Sequence, residues 1–316
     1  MNDREAVAAI RIVGAVARAD GRIDAAETLA MRSAIAEFNP TLPDGSDVER
    51  LLSEDVDLDA ELAVVRSPVV QRAVFETAVA MSLVDGSASA QENQVLTRIR
   101  AAFNVGREAS TGGFALAGSV TPVTTMTPIL DPAERAKHVS DLIARRSVWA
   151  GALGALPVPI VSDIGVFHQI DTLVRGIAMA WGHPLTRKES WAQFGAVLGM
   201  AFAQSAVHSL LKLLPGLGSV AGAIGGGLSG FVITRAVGMV VNQHFEREGK
   251  TTPEELRALF KDQKTAAKIV YEASAPAIED LRASNAEAIT ALGARLEKKE
   301  ITPAEFNAKL LELTKG

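Results

Sequence analysis

Five carboxylates stand where they could share a cation: Asp20, Asp24 and Glu27 in one segment, Asp85 and Glu92 in another. Oxygen-only ligand sets suit a hard divalent ion such as calcium. Both segments carry one frame, Asp-Gly, five residues, Glu. It reads Ala19-Asp20-Gly21-Arg22-Ile23-Asp24-Ala25-Ala26-Glu27 in the first copy and Val84-Asp85-Gly86-Ser87-Ala88-Ser89-Ala90-Gln91-Glu92 in the second. A Phe follows each copy, Phe38 and Phe103. The spacing is not that of an EF-hand loop. The same residues also have a purely local use. Asp24 precedes Glu27 by three positions and Ser89 precedes Glu92 by three, which is a capping-box spacing. A Gly after the Asp suits the positive φ of a helix stop. Two readings therefore stand for these side chains: helix caps, or ligands of a divalent cation, the one cofactor the sequence puts forward.

The elements that would hold them are helical. Residues 7–18 are rich in Ala and Val at a helical period, and apolar runs of the same spacing flank the second copy. A duplicated helix-loop-helix unit is the simplest source of such an internal repeat. The phrase Ala-Asp-Gly-x-Ile-Asp-x-x-Glu, with its later Asp-Gly and Glu, resembles the TerB-like tellurite-resistance family over roughly residues 5–105. That resemblance implies an all-helical domain whose acidic loops bind metal, with Asp20, Asp24, Glu27, Asp85 and Glu92 in the matching positions. Ser89 stands where the first copy has Asp24, and Ala88 where it has Ile23, so the second copy lacks one carboxylate.

Composition narrows the function classes. The chain has 316 residues, enough for about two domains. It has no Cys, which excludes disulfides, zinc-thiolate sites and thiol catalysis. Residues 1–105 hold 17 acidic and 10 basic side chains, and the whole chain has one Tyr and three Trp. Neither a phosphate-binding surface nor a base-stacking one is expected, so nucleic acid is not a partner. The opening Met1-Asn2-Asp3-Arg4-Glu5 is charged, and export by a signal peptide is not expected.

The middle of the chain is apolar. Residues 147–162, 192–211 and 213–234 carry no Asp, Glu, Lys or Arg. The last two are long enough for bilayer spans of about 20 residues. Gly218, Gly222, Gly226 and Gly230 recur every fourth position and lay one bare stripe along a helix. Gly in a helix costs about 1 kcal/mol relative to Ala, so close helix-helix approach must offset four of them, a common use in membranes. Gly195, Gly199 and Ala203 form a second stripe, and the sequence predicts a helical hairpin turning near 214–218. Both a membrane-associated hairpin and a buried hairpin in a bundle meet this pattern. Arg145, Arg146, Arg187, Lys188, Arg247 and Lys250 flank the runs and place both ends on the cytoplasmic side. Lys212 at the turn opposes a deep two-span arrangement.

An ordered series of short phrases, Leu156-Pro157-Val158-Pro159-Ile160-Val161-Ser162-Asp163, Ile177-Ala178-Met179-Ala180-Trp181-Gly182, Leu213-Leu214-Pro215-Gly216-Leu217-Gly218, Thr234-Arg235-Ala236-Val237-Gly238 and His244-Phe245, is similar to the YcjF-type domain of unknown function over about 140–249. The resemblance implies a helical, membrane-associated domain found alone or beside bacterial small GTPases. This chain has no phosphate-binding loop of its own. His168 and Asp171 lie three apart on one helix face with Asp163 upstream, either a satisfied buried network or a binding cluster. The remaining His residues are scattered, and no nucleophile-elbow phrase accompanies the Ser, His and Asp present, so no enzyme is expected.

The sequence predicts an all-α protein in four parts: residues 1–105, an acidic TerB-like domain; 106–132, a Gly/Thr/Pro linker; 133–250, an apolar YcjF-type domain; and 251–316, a charged amphipathic tail. Thr252-Pro253-Glu254-Glu255 and Thr302-Pro303-Ala304-Glu305 start helices in the same way. The last unit, Leu292 to Leu313, faintly resembles SHOCT-type oligomerisation tails, with a hairpin packed on the body as the alternative. The expected role is a non-enzymatic scaffold or adaptor at the cytoplasmic face of the inner membrane. Its partners are membrane lipid and a protein, either a GTPase or a second copy. The alternative is a soluble, cytoplasmic, metal-responsive module.

Overall fold

Short-range signals set the helix ends. Asp131 accepts the Glu134 amide at 2.8 Å and Pro132 fills the first helical position. Thr252 and Glu255 cap each other reciprocally, as do Thr302 and Glu305. Each closes amides that a helix start leaves without partners. The computed structural model describes residues 3–19, 21, 48–84, 88–105, 128–156, 159–212, 221–298 and 300–313. Their regular structure is all-α, as the sequence predicts. Contacts gather the chain into two compact units, Met1–Ala115 with Leu198–Gly225, and Leu116–Val197 with Gly226–Gly316.

The first unit contains α1 (Asp3–Ala17), α2 (Val48–Ser53), α3 (Leu58–Val64), α4 (Pro68–Met81) and α5 (Ala90–Ala102). α1 buries Ala6, Ala9, Ile10, Ile12, Val13 and Val16, which lie on more than one face. A helix apolar nearly all round belongs at a centre, and α1 packs on α2, α3, α4 and α5. At its edge Arg11 pairs with Glu54 at 2.7 Å and Glu61 at 3.1 Å. Glu5 caps another helix: its carboxylate accepts the amides of Arg66 and Ser67 at the start of α4, at 2.9 and 3.1 Å. Ser67 makes no side-chain cap of its own. α1 ends at Ala17, and Gly21 takes a φ of +84°, the stop expected from the Asp20-Gly21 phrase.

The second unit is built from α6 (Pro132–Gly154), α7 (Pro159–Ala180), the start of α8 (Arg187–Lys212), most of α9 (Ala221–Glu246), α10 (Pro253–Glu297) and α11 (Pro303–Leu313). The division between units falls inside α8 and α9. α6 and α7 pack along each other. α10 has 45 residues and spans about 67 Å at 1.5 Å per residue. Its buried residues Leu256, Phe260, Ala267, Ile278 and Ile289 form one stripe. Pro276 lies exposed on the other side, where the carbonyl it leaves unpaired can reach water. α11 returns along α10 and α7 with Phe306 and Leu310 fully buried. The tail is thus a hairpin that buries Phe260, Phe306 and Leu310 within its own unit and leaves Ile269 exposed.

Candidate functional site

Of the five acidic candidates, Asp20, Asp24, Glu27 and Asp85 lie outside the described residues. Glu92 is described, and it caps. Its carboxylate accepts the Ser89 amide at 2.6 Å while the Ser89 hydroxyl accepts the Glu92 amide at 3.1 Å. Among the described residues, no group of three or more His, Asp and Glu could hold a metal ion.

Two glycines of the stripe stand against backbone of another helix. Gly218 lies outside the described residues, and Gly222 is helical in α9. A Cβ on Gly230 would run into the carbonyl of Ala150 in α6, and a Cβ on Gly154 would run into the carbonyl of Gly226. Gly226 and Gly230 therefore approach α6. The sequence pairs the stripe with Gly195 and Gly199 instead. Gly199 lies under the carbonyls of Leu83 and Val84 in the first unit, where Thr77 of α4 also bonds the Ala206 carbonyl at 3.1 Å. Small-residue spacing shows that a helix is approached closely, but many partners satisfy it. Among the described residues, no helix is long and apolar enough to cross a membrane. α8 and α9 have 26 residues each, yet they carry buried Gln204, His208, Ser229 and Thr234.

His168 and Asp171 do share a buried face of α7. Asp171 receives Arg175 and Arg187, each at 2.9 Å, and so ties α7 to α8. Arg187 also lies over the Phe167 ring, 5.3 Å from its centroid. Behind them Arg146 of α6 donates to Gln169 at 3.0 Å. Burial lowers the Arg146 pKa to about 10, and Arg145 adds to the effect. Burial likewise lowers His168 to about 4; Asp171 opposes this, while Arg146, Arg187 and Arg175 reinforce it. Arg146 Nε, His168 Nε2 and Gln169 Nε2 have no hydrogen-bond partner among the described residues. All three side chains are buried. This layer is a structural ion network, one of the two uses the sequence allowed. Asp163 lies in α7, in a part whose side chains are outside the description.

Among the described residues, the second unit has an open pocket of about 460 Å³. It lies between the turn 181–186 that follows α7 and the turn 247–252 that follows α9. Both helices end alike. Gly182 has a φ of +82°, and the His183 amide reaches back to the Ala178 carbonyl at 2.8 Å. Glu248 has a φ of +59°, and the Gly249 amide reaches back to the His244 carbonyl at 2.9 Å. This is the left-handed closure that usually takes Gly or Asn, so Glu248 is an unusual occupant.

Phe245 forms the wall, with the His183 ring stacked on it at 5.3 Å and the Trp181 ring at 6.4 Å. Leu185, Gln193, Glu248 and Gly249 complete the lining. Behind the wall, Phe194 meets His244 and Phe245 edge-on at 5.1 and 6.0 Å. Phe194 itself breaks the helical geometry of α8, with a φ of −117° and a ψ of 16°. The Gln193 carboxamide bonds His244 Nε2 at 2.9 Å, and His244 Nδ1 bonds Thr251 at 2.7 Å. With the carboxamide donating, His244 is neutral and carries its proton on Nδ1. Burial lowers its pKa, and His183 adds to that. The Trp181 indole donates to Asn242 at 2.9 Å, and the Arg135 guanidinium lies 4.0 Å from its ring centroid. Sequence reading used Trp181-Gly182 and His244-Phe245 only as family phrases; no residue spacing brings them together.

Fold and site together define an all-α protein with an aromatic-walled pocket in its second unit. No family model matches the chain, and no solved structure matches it. It is similar to magnetosome membrane protein 22 of Magnetospirillum gryphiswaldense. The two are 27% identical over 175 residues, which cover 51% of this chain and 89% of that protein.

Proposed function

We propose that this protein is a non-enzymatic, membrane-associated scaffold or adaptor. The observation that carries the reading is the similarity to a magnetosome membrane protein across 89% of that relative's length. The described helices favour attachment at the surface over spanning, because none is long and apolar enough to cross a bilayer. The cytoplasmic face of the inner membrane is the proposed location, on the basic residues flanking the apolar runs. The TerB-like and YcjF-type resemblances extend this reading to a bacterial stress response or a partner GTPase.

Fractionation of the full chain tests it. Recovery with membranes, followed by release in carbonate, supports a surface-bound adaptor; resistance to carbonate supports an integral anchor. A chain that stays out of the membrane fraction and is monodisperse without detergent refutes the reading. The metal-responsive module would then lead. A calcium titration with Asp20→Ala and Asp85→Ala controls would decide it.

A further inference from the structure

We infer that the pocket between the two turns binds an alkylammonium group, carried by a free amine or by a lipid headgroup. Three rings, those of Trp181, His183 and Phe245, line it. Aromatic faces attract organic cations through their quadrupoles, and the Trp181 ring already bears the Arg135 guanidinium. Arg135 itself does not line the pocket. Glu248 is the one carboxylate in the lining, and no Lys or Arg joins it there. The charge in the pocket therefore complements a cation and opposes an anion.

Glu248 also sits at a cost. It holds a left-handed φ of +59° where Gly would be unstrained. Among the described residues its carboxylate pairs with Lys250 at 2.5 Å, with both side chains 76% exposed. An exposed pair of this kind is weak, so a ligand ammonium can displace the Lys250 ammonium from the carboxylate. Lys250 acts as a built-in competitor for the same group. An ammonium site of this kind stands whether or not the chain is membrane-bound.

The test titrates choline chloride into the full chain, followed by tryptophan fluorescence, beside the uncharged carbon isostere of choline. Saturable binding, with the isostere about tenfold weaker or more, is the expected result. Lys250→Ala should tighten choline binding about threefold by removing the competitor. Glu248→Gly should weaken it while raising Tm, since Gly relaxes the left-handed turn; a purely structural role for Glu248 cannot give that opposition. Trp181→Phe, which keeps a ring, should weaken binding less than Trp181→Ala. Vesicles separate the sources. Glu248-dependent binding to phosphatidylcholine vesicles identifies a lipid headgroup, and choline binding without vesicle binding identifies a free amine. Equal binding of the isostere, no saturation, or tighter binding to phosphatidylglycerol vesicles in Glu248→Gly would each overturn the assignment.

Discussion

Adding one methyl group at Gly230 tests the packing of α9 on α6. The new Cβ would fall inside contact distance of the Ala150 carbonyl and 3.4 Å from a Val166 methyl. The obstacle is backbone, so no side-chain rotation relieves it and the helices must separate. Overpacking of this sort costs about 1–3 kcal/mol, and Ala returns about 1 kcal/mol through helix propensity. A rigid backbone obstacle puts the cost at the upper end, so Gly230→Ala should lose about 2 kcal/mol net. The neighbouring Gly227 is the control. Its Cβ would meet the Ala155 Cβ at 3.2 Å and the Gly151 carbonyl at 3.3 Å, contacts that ease with a few tenths of an ångström. Gly227→Ala should be neutral or up to about 1 kcal/mol more stable. At about 2–4 °C per kcal/mol for a domain of this size, the two variants, about 2–3 kcal/mol apart, should differ in Tm by about 4–12 °C. Trp149, Trp181 and Trp191 all lie in the second unit, so tryptophan fluorescence during thermal and urea unfolding reports on it. Trimming Ala150 to Gly should not rescue Gly230→Ala, because the clash is with the carbonyl. A Gly230→Ala chain as stable as the unmodified one would refute the close approach, and with it the packing role of the stripe.

Three further outcomes follow from the network and the caps. Asp171→Asn leaves Arg175 and Arg187 without their carboxylate; with Asp171 4% and each Arg 14% exposed, thermal unfolding should show a loss of about 3 kcal/mol. His168 has a folded pKa of about 4 against about 6.5 unfolded, so below pH 6.5 the unfolded chain binds the proton first. Its contribution is full above 6.5 and falls as pH drops toward 4, by about 3 kcal/mol in all; His168→Gln should show a flatter stability profile between pH 7 and 5, and identical profiles would count against the buried neutral ring. Ser89→Ala should cost about 1 kcal/mol through loss of the α5 cap, with the same loss in calcium and in chelator if Glu92 serves the helix alone.

The helices and their ends were legible because their causes are local. Asp131, Ser89, Thr252 and Thr302 bond amides three residues ahead, and that distance is fixed by helix geometry whatever surrounds it. Gly21 likewise closes α1 by its own φ. The sequence by itself thus determined an all-α chain, the caps of several helices and the bare face on α9. What that face meets was a tertiary matter. The backbone of α6 or that of α8 would satisfy a small residue equally well, and only the packed unit selects between them. The same holds for charge. His168 and Asp171 sit on one face by sequence, but Arg187, which makes Asp171 structural, comes from the next helix. The pocket lay furthest from sequence reach. Its walls come from turns more than 60 residues apart, and it depends on a left-handed Glu248 and a non-helical Phe194. Those conformations go against local preference, so only the surrounding packing could impose them.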